Sequence, residues 1–379
     1  MLTAQGCRLR RERLWKVLSG EIEWLLIADP RHVHYFSNFW INPLSFSSGE
    51  RAFLVLDRTG KATLICDNFA RRSAPSESFV DDEIVGKWYD HRHSVVNRDA
   101  LLVATLERVK DRLTPDRGLV EESALPLSAL AALDTAPAAE GGELGSIIRS
   151  LRRKKEADEI SLLQRCLRAA EAGHARALEV VRPGVSELDV YREVQSASLE
   201  AAGRPVLLYG DFRASTTARP KVGGLPTTYK LQDGDLFLLD FSVVMDGYRG
   251  DTTNTIHVGK HPRESQSEMY EGCRSALLKG EGALAPGEAA SRVYEVVSKE
   301  LEVAGHGPLA HHAGHGIGLA HPEPPILVPE SEDELAAGDV VTLEPGLYVE
   351  GIGGVRLEHN YLITEKGFQR LSDHALCLA

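Results

Sequence analysis

The stretch 234–240, GDLFLLD, has a counterpart at 338–344, GDVVTLE, and this pair of segments is the strongest indication of the fold. Each begins with Gly-Asp, continues through four residues that are mostly apolar, and ends in a carboxylate. Short runs of this composition predict buried strands. Asp240 and Glu344 are separated by 104 positions, as are the two Gly-Asp pairs. Each predicted strand therefore carries one acid at the same offset from its start.

A second repeated signal lies upstream of each strand. Pro183-Gly184 ends one helical stretch, and Pro286-Gly287 ends another 103 positions later. Pro and Gly both interrupt helices, and a period this long exceeds that of solenoid repeats. The spacing indicates an α/β (α+β) fold in which two related halves pack around a pseudo-twofold axis, with Asp240 facing Glu344.

Each predicted strand is followed by a returning strand that carries a second acid. After Asp240 the chain turns at Asp246-Gly247, a typical hairpin dipeptide, and returns to Asp251. After Glu344 it turns in a glycine-rich segment and returns to Glu358. Acids that follow apolar strands are expected to be buried. Clustered buried carboxylates repel one another and take up protons unless cations neutralise them.

His315, in the stretch GHGIG at 314–318, is a fifth candidate ligand because the flanking glycines let the backbone approach closely. Four carboxylates and one imidazole suit divalent ions such as manganese, cobalt, iron or zinc. Two such ions about 3.5–4 Å apart hold a bridging hydroxide as nucleophile and polarise a carbonyl. A nucleotide-binding loop is disfavoured, because the third glycine is absent from its required position.

The amino-terminal part predicts a smaller α/β domain over residues 1–145, and the catalytic domain is expected over 146–379. Residues 134–146, which are rich in glycine and small side chains, predict the linker between them. Hydrophobic periodicity predicts the elements of the first domain: helices over 9–18 and 100–110, and strands over 24–28, 52–56, 62–65 and 119–120.

A long amphipathic helix is predicted over 154–180, ending before Pro183-Gly184. The basic run Arg152–Lys155 stands at its start and is followed at once by Glu156, Asp158 and Glu159. This charge pattern favours a solvated helix start over a phosphate-binding patch.

Composition excludes several classes of function. The net charge of −12 argues against a nucleic-acid partner, and no apolar run of about 18 residues predicts a membrane span. The first residues contain no apolar segment of the kind found in a secretory signal. The five cysteines are scattered and odd in number, so a reducing cytoplasm is the expected compartment rather than a disulfide-forming one.

The motifs resemble those of the pita-bread peptidase and creatinase superfamily, which includes methionine aminopeptidase, aminopeptidase P, prolidase and creatinase. The matching segments are LLDFS, GYRGDTTNT, GHGIGL, LEPGLY and VRLEHNYLIT. The segment 23–40, EWLLIADPRHVHYFSNFW, is similar to the amino-terminal domain of the creatinase and prolidase branch. The resemblance implies a carboxy-terminal pita-bread fold preceded by a creatinase-type domain.

The same resemblance implies roles for single residues. Asp251 and Glu358 would bridge two metal ions, manganese being expected first; Asp240 would complete one ion, and His315 with Glu344 the other. Glu344 would also act as the proton-handling acid and base. His312, His321 and Arg356 are expected on the substrate side, His321 is also a candidate catalytic residue, and Arg356 matches an arginine that supports the metal ligands in the family.

Two departures from the family pattern concern the substrate. Proline-cleaving members place a histidine 17 residues before the first ligand, where this chain has Gly223. They place another seven residues after the metal histidine, where this chain has Pro322, with His321 one position early. His321 serves in that role only if a local bulge moves it into place. Asn254 also stands where the family often has arginine.

The preferred function is therefore metal-dependent hydrolysis of an amide bond, in an Xaa-Pro dipeptide or at the N-terminal Xaa-Pro bond of a peptide. The alternatives are a hydrolase or lyase acting on a small non-peptide, such as ectoine or dimethylsulfoniopropionate, and a catalytically silent binding protein. A homodimer is expected by resemblance. Candidate residues for lining the substrate pocket are Tyr209, Arg213, His311, His312 and His321.

Overall fold

The computed structural model describes residues 1–41, 51–74, 76–133 and 143–378. The chain forms two compact units, Met1–Arg152 and Arg153–Ala379. The predicted domain boundary between residues 145 and 146 stays a prediction. No helix among the described residues is both long enough and apolar enough to cross a membrane.

The first unit contains six helices and five strands within the described ranges. The helices are α1 (Ala4–Val17), α2 (Pro30–Ser37), α3 (Asn68–Ser73), α4 (Arg98–Leu106), α5 (Leu127–Leu133) and α6 (Leu144–Leu151), with a 3-10 helix over Glu107–Arg112. The strands are β1 (Trp24–Ile27), β2 (Ala52–Asp57), β3 (Ala62–Asp67), β4 (Asp82–Gly86) and β5 (Gly118–Val120). The predicted strands are thus confirmed.

The five strands of the first unit form one mixed sheet in the order β4-β3-β2-β1-β5. β2 pairs antiparallel with both β1 and β3. At the two edges, β4 pairs in parallel with β3 and β5 pairs in parallel with β1. Trp24 is 1% exposed, and its ring lies against Gly118, where a Cβ atom would come within 2.0 Å of it. A glycine in β5 is therefore required for this close packing.

The second unit contains four helices and ten strands among its described residues. The helices are α7 (Ala157–Val180), α8 (Glu187–Ala202), α9 (Glu264–Glu281) and α10 (Ala290–Val303). The strands are β6 (Leu207–Ser215), β7 (Leu236–Met245), β8 (Tyr248–His257), β9 (His315–Gly316), β10 (Glu323–Ile326), β11 (Val340–Leu343), β12 (Gly346–Val349), β13 (Gly353–Arg356), β14 (His359–Thr364) and β15 (Gly367–Arg370).

The repeat read from the sequence reappears in backbone hydrogen bonds. The Gly184 amide donates to the Leu231 carbonyl at 2.8 Å, and 103 positions later the Gly287 amide donates to Leu335 at 2.7 Å. The isolated bridge Ser186–Lys230 likewise has the counterpart Ala289–Glu334. Each half has its own core, formed by α7, α8 and β6–β8 in one and largely by α9, α10 and β11–β14 in the other.

Two predictions about the region before α7 are wrong. The helix begins at Ala157 rather than 154, because Glu156 and Glu159 form a capping box that fixes its start. The basic run is not a solvated helix start. Lys155 is 6% exposed and its ammonium lies 2.6 Å from the Glu323 carboxylate, while Arg153 pairs with Asp339 at 2.8 Å. Buried acids from distant segments bind these side chains.

The predicted linker over 134–146 lies mostly outside the described residues. Its last four residues, 143–146, are described. Glu143 is the N-cap of α6 and the next three residues form the first turn of that helix, so this part is not irregular. Glu143 caps this helix by accepting hydrogen bonds from the amides of Gly145 and Ser146.

Candidate metal centre and adjoining cavity

The first pair of acids is placed by the hairpin of β7 and β8. Their antiparallel register pairs Asp240 with Thr253 and Ser242 with Asp251. Because alternate residues of a strand point to the same face, Asp240 and Asp251 lie diagonally on one face of the hairpin. The turn residues Asp246 and Gly247 both have positive φ, 50° and 82°, as a two-residue type I′ hairpin requires.

The second pair of acids flanks the pairing of β11 with β14. Leu343 ends β11 opposite His359, so Glu344 and Glu358 stand side by side where the two strands separate. The Glu358 amide donates to the Thr253 carbonyl at 3.0 Å. The Thr253 hydroxyl donates to Glu358 Oε2 at 2.8 Å. This bridge joins the two halves at the acids.

His315 reaches the acids from β9, which lies between β10 and β11. A Cβ atom at Gly314 would lie 2.0 Å from the Thr342 carbonyl oxygen, and one at Gly316 would lie 2.3 Å from that of Pro324. Only glycine fits at either position. The His315 Nδ1 atom donates to the Gly316 carbonyl at 3.0 Å, so Nε2 carries the free lone pair. That atom lies 3.2 Å from Glu344 Oε1.

The five side chains form two overlapping sets of three potential ligands. In each set one ligand atom per residue lies within 4.8 Å of the others. Asp240, Asp251 and Glu358 form one set, and His315, Glu344 and Glu358 form the other. Glu358 belongs to both and is 1% exposed.

The charges in this cluster are not balanced by the protein. Burial raises the pKa of Asp240 to about 7, aided by Asp251 and Glu344 and opposed by Arg356. Burial and the three neighbouring carboxylates raise the pKa of Glu358 well above its ordinary value. Its Oε1 atom is buried and has no hydrogen-bond partner among the described residues. An orphaned oxygen amid four buried acids and an imidazole fits divalent metal ions.

The other two acids are held ionised by histidines. Burial raises the pKa of Glu344, but His312 and His315 outweigh that effect and lower it well below the ordinary value. His312 Nε2 lies 3.0 Å from Glu344 Oε1. Burial likewise opposes the ionisation of Asp251, and the neighbouring His321 outweighs it. The site is therefore split between acids with depressed pKa values and acids with raised ones.

A cavity of about 420 Å³ opens onto three of the four acids, Asp240, Asp251 and Glu344. A volume of this size suits a small molecule or a short peptide. Of the residues predicted to face the substrate, five line it: Tyr209, His311, His312, His321 and Arg356. Arg213 does not appear in the lining, because its guanidinium lies 3.2 Å from the Glu187 carboxylate and donates to the Gly223 carbonyl at 3.3 Å.

His321 lies at the mouth of the cluster. Its Nε2 atom is 2.6 Å from Asp251 Oδ2, and its side chain is 35% exposed. Pro322, which stands where the family has its second histidine, also lines the cavity. The register of β10 against β9 shifts between Glu323 and Ile326, just beyond these residues.

Arg356 is not a surface residue. Its side chain is 14% exposed and donates to Asp211 at 2.7 Å, and it also pairs closely with Asp240. Its other terminal nitrogen donates to the Tyr348 hydroxyl at 3.2 Å. Arg356 therefore orients one candidate ligand and partly neutralises the cluster.

Three charged cavity residues, Asp211, Lys221 and Arg249, are not among those predicted from the sequence. Asp211 lies on β6 directly opposite Asp240, and it also accepts a hydrogen bond from the Gly224 amide at 2.6 Å. A Cβ atom at Gly223 would lie 3.1 Å from the Asp211 carboxylate. The spacing of Tyr209, Asp211 and Arg213 at every second position was the available signal for this strand.

Among the described residues of the first unit, Asp29, His32 and Glu121 form a further set of potential ligands. Glu121 Oε2 accepts hydrogen bonds from the amides of Ala28 and Asp29 at 2.9 and 2.8 Å. Its Oε1 atom accepts from His32 Nδ1 at 2.5 Å. The Arg152 guanidinium donates to His32 Nε2 at 3.1 Å. These contacts satisfy the cluster without a metal.

Comparisons with known proteins match both parts of the chain. Residues 161–365 match the model of metallopeptidase family M24, and residues 10–154 match that of the creatinase/prolidase N-terminal domain. An Xaa-Pro dipeptidase of Pyrococcus furiosus is 27% identical over 368 residues, which cover 96% of this chain and 97% of the relative.

Solved structures of similar proteins share the fold. An Xaa-Pro dipeptidase from Bacillus anthracis superposes with a TM-score of 0.76 at 24% identity, covering 99% of each chain. An X-Pro aminopeptidase from Thermotoga maritima gives 0.77 at 19% identity, covering 100% of this chain and 99% of that one. A creatinase-type amino-terminal domain followed by a pita-bread domain is therefore confirmed.

Proposed function

Because the chain belongs to metallopeptidase family M24 and is thus a metal-dependent hydrolase, we propose that it cleaves the bond before proline in Xaa-Pro substrates. The observation that carries the proposal is the pair of ligand sets that share Glu358 beside a cavity of about 420 Å³. The dipeptidase and aminopeptidase names of the similar proteins support the substrate class.

We propose that the five predicted residues hold two divalent ions, with manganese as the first candidate and cobalt, zinc and iron as alternatives. Asp240, Asp251 and Glu358 would hold one ion, and His315, Glu344 and Glu358 the other, with Asp251 reaching both. His315 Nε2 lies 4.0 Å from Asp251 Oδ2, which supports that sharing. When bound, such ions lower the pKa of a water molecule and polarise the scissile carbonyl.

Glu344 is the proposed general base and acid. Its low pKa keeps the carboxylate ionised, and it faces the cavity. The proton it takes up is then available for the leaving nitrogen. The neighbouring His312 Nε2 orients Glu344 Oε1 from 3.0 Å and stabilises its charge.

His321 and Arg356 are proposed to position the substrate and the ligands. His321 is the exposed imidazole nearest Asp251, so it can donate a hydrogen bond to the scissile carbonyl once that carboxylate binds a cation instead. Arg356 holds Asp240 in place through their close ion pair. The homodimeric state and the cytoplasmic location stay predictions.

Turnover by manganese-loaded protein tests this proposal on a panel of Xaa-Pro dipeptides, a longer peptide with proline second, ectoine and dimethylsulfoniopropionate. We expect cleavage of the proline substrates and its loss on chelation. Turnover of ectoine or dimethylsulfoniopropionate alone would contradict the proposal and show that the same site acts on a non-peptide.

A further inference from the structure

Two cationic side chains of the cavity, Arg356 and Lys221, differ in their ion pairing. Arg356 is already paired with Asp211 and Asp240. Lys221 is exposed, and within the part of the chain that the structure describes no carboxylate lies within 4.0 Å of its ammonium. The Lys221 Nζ atom instead lies 5.4 Å from the centroid of the Tyr348 ring. Among the described residues, the Lys221 ammonium is therefore a cavity cation with no carboxylate beside it.

The backbone around Lys221 is held in place on two sides. On one side, a Cβ atom at Gly354 would lie 2.2 Å from the Pro220 carbonyl oxygen, so this segment packs tightly on the β12–β13 hairpin. On the other side, the Phe212 amide donates to the Gly224 carbonyl at 3.1 Å. Contact with the Tyr348 face further orients the ammonium. A positioned group loses little freedom when it binds a ligand.

Lys221 is separated from the candidate metal ligands by a short chain of contacts. The Tyr348 hydroxyl accepts from Arg356, and Arg356 pairs with Asp240. In a dipeptide, the free carboxylate lies one residue beyond the scissile bond, about 3.8 Å per residue along the chain. A longer peptide places a neutral amide at the same point. An ammonium group in the lining of the same cavity can distinguish the carboxylate from the amide.

We infer that Lys221 binds the free carboxylate of the residue after the scissile bond and thereby selects dipeptides over longer peptides. The inference rests on the proposed Xaa-Pro hydrolysis and adds the residue that discriminates between dipeptides and longer peptides. Lys221 acts through binding alone, since its contacts are with Tyr348 and not with the acids of the cluster.

The experiment compares Ala-Pro with Ala-Pro-amide on manganese-loaded full-length protein. For the unaltered enzyme we expect a KM about tenfold lower for the acid than for the amide, as a charge-assisted hydrogen bond predicts. Lys221→Met should raise the KM for the acid to that for the amide and leave kcat within about twofold. Lys221→Arg should retain most of the preference.

Lys230→Met is the matched control. Lys230 is exposed, lies 3.7 Å from Asp189 and is not part of the cavity lining. Lys230→Met removes one positive charge from the same unit as Lys221→Met does. The ratio of the KM for the acid to the KM for the amide should not change in this control. A loss of preference in Lys230→Met as large as that in Lys221→Met would overturn the inference, because net charge alone would explain it.

Calorimetric binding of L-proline and L-prolinamide separates this inference from the proposed function. We expect L-proline to bind Lys221→Met about tenfold more weakly than it binds the unaltered protein, with prolinamide unchanged. That result without any turnover of dipeptides would overturn the proposed function and uphold the role of Lys221. Turnover with equal KM values for acid and amide, or L-proline affinity unaffected by Lys221→Met, would overturn the role of Lys221.

Discussion

Among the described residues, each unit contains a buried cluster of acids and histidines, and the two clusters differ in how the protein balances their charges. In the first unit, the Glu121 carboxylate accepts from two backbone amides and from His32, which in turn accepts from Arg152. Every group of that cluster has a complementary protein partner. It is a structural network that ties β1 and α2 to the segment after β5.

In the second unit, four carboxylates share one arginine and three nearby histidines. Glu358 retains a buried oxygen without a partner among the described residues, and its pKa and that of Asp240 are raised by burial and by the neighbouring acids. The comparison shows that residue types alone do not distinguish a metal site from a polar network. The shortage of protein donors and cations does.

The largest effect should come from replacing one acid in each cluster. Glu344→Ala is expected to reduce kcat/KM for an Xaa-Pro dipeptide by about 10³-fold or more, because both a ligand and the proton-transfer group are lost. The fold should be retained. Steady-state kinetics measure kcat/KM, and circular dichroism checks that the fold is retained.

Glu121→Ala is the counterpart in the first unit. It leaves His32 and two backbone amides without an acceptor, so the free energy of unfolding should fall by about 3 kcal/mol. The kcat of the folded protein should not change. Retention of activity in Glu344→Ala, or loss of kcat in Glu121→Ala, would break the contrast between the two clusters.

A smaller effect is expected from metal removal. Excess manganese should raise the melting temperature of the unaltered protein by roughly 5–10 °C relative to the chelated form, because a ligand at about a hundredfold its Kd stabilises the state that binds it. Calorimetric scans with and without chelator measure this difference. Glu121→Gln should keep the shift.

Metal content measured by mass spectrometry then tests which residue is shared. The unaltered chain should bind about two ions, Asp240→Ala about one, and Glu358→Ala fewer than one, because Glu358 belongs to both ligand sets. Equal metal content in Asp240→Ala and Glu358→Ala would argue against the shared role.

The smallest effect concerns two histidines that, unlike His32, have no hydrogen bond to a carboxylate among the described residues. The rings of His174 and His374 stack with centroids 4.3 Å apart. Burial and the nearby His374 hold the pKa of His174 well below its usual value, and burial lowers that of His374 to about 4. Below about pH 6.5 the unfolded chain therefore binds protons that the folded chain does not.

Stability should consequently fall as the pH drops from about 6.5 to about 4, by up to roughly 1.4 kcal/mol per pH unit for each histidine. Denaturant unfolding at several pH values measures this slope. His174→Phe should make this slope shallower. An equal slope in His174→Phe and in the unaltered protein would show that His174 does not contribute.

The amino-acid sequence alone predicts the two related halves and the five candidate ligands, with Asp240 and Asp251 inside strands and Glu344 and Glu358 beside strand ends. These features follow from local patterns, because a buried strand, a hairpin turn and a glycine-framed histidine are each encoded within a few consecutive residues. The matched offsets of Asp240 and Glu344 then indicated that the acids meet.

The sequence does not predict which charged residues line the cavity or which partners they contact; these follow from the tertiary packing. Asp211 and Lys221 belong to the cavity and Arg213 does not, although all three lie within eleven residues of one another in sequence. The basic run before α7 is bound by Asp339 and Glu323, more than 160 positions away. A long charged side chain reaches whichever partner the packing of distant segments brings near it, and no local pattern specifies that partner.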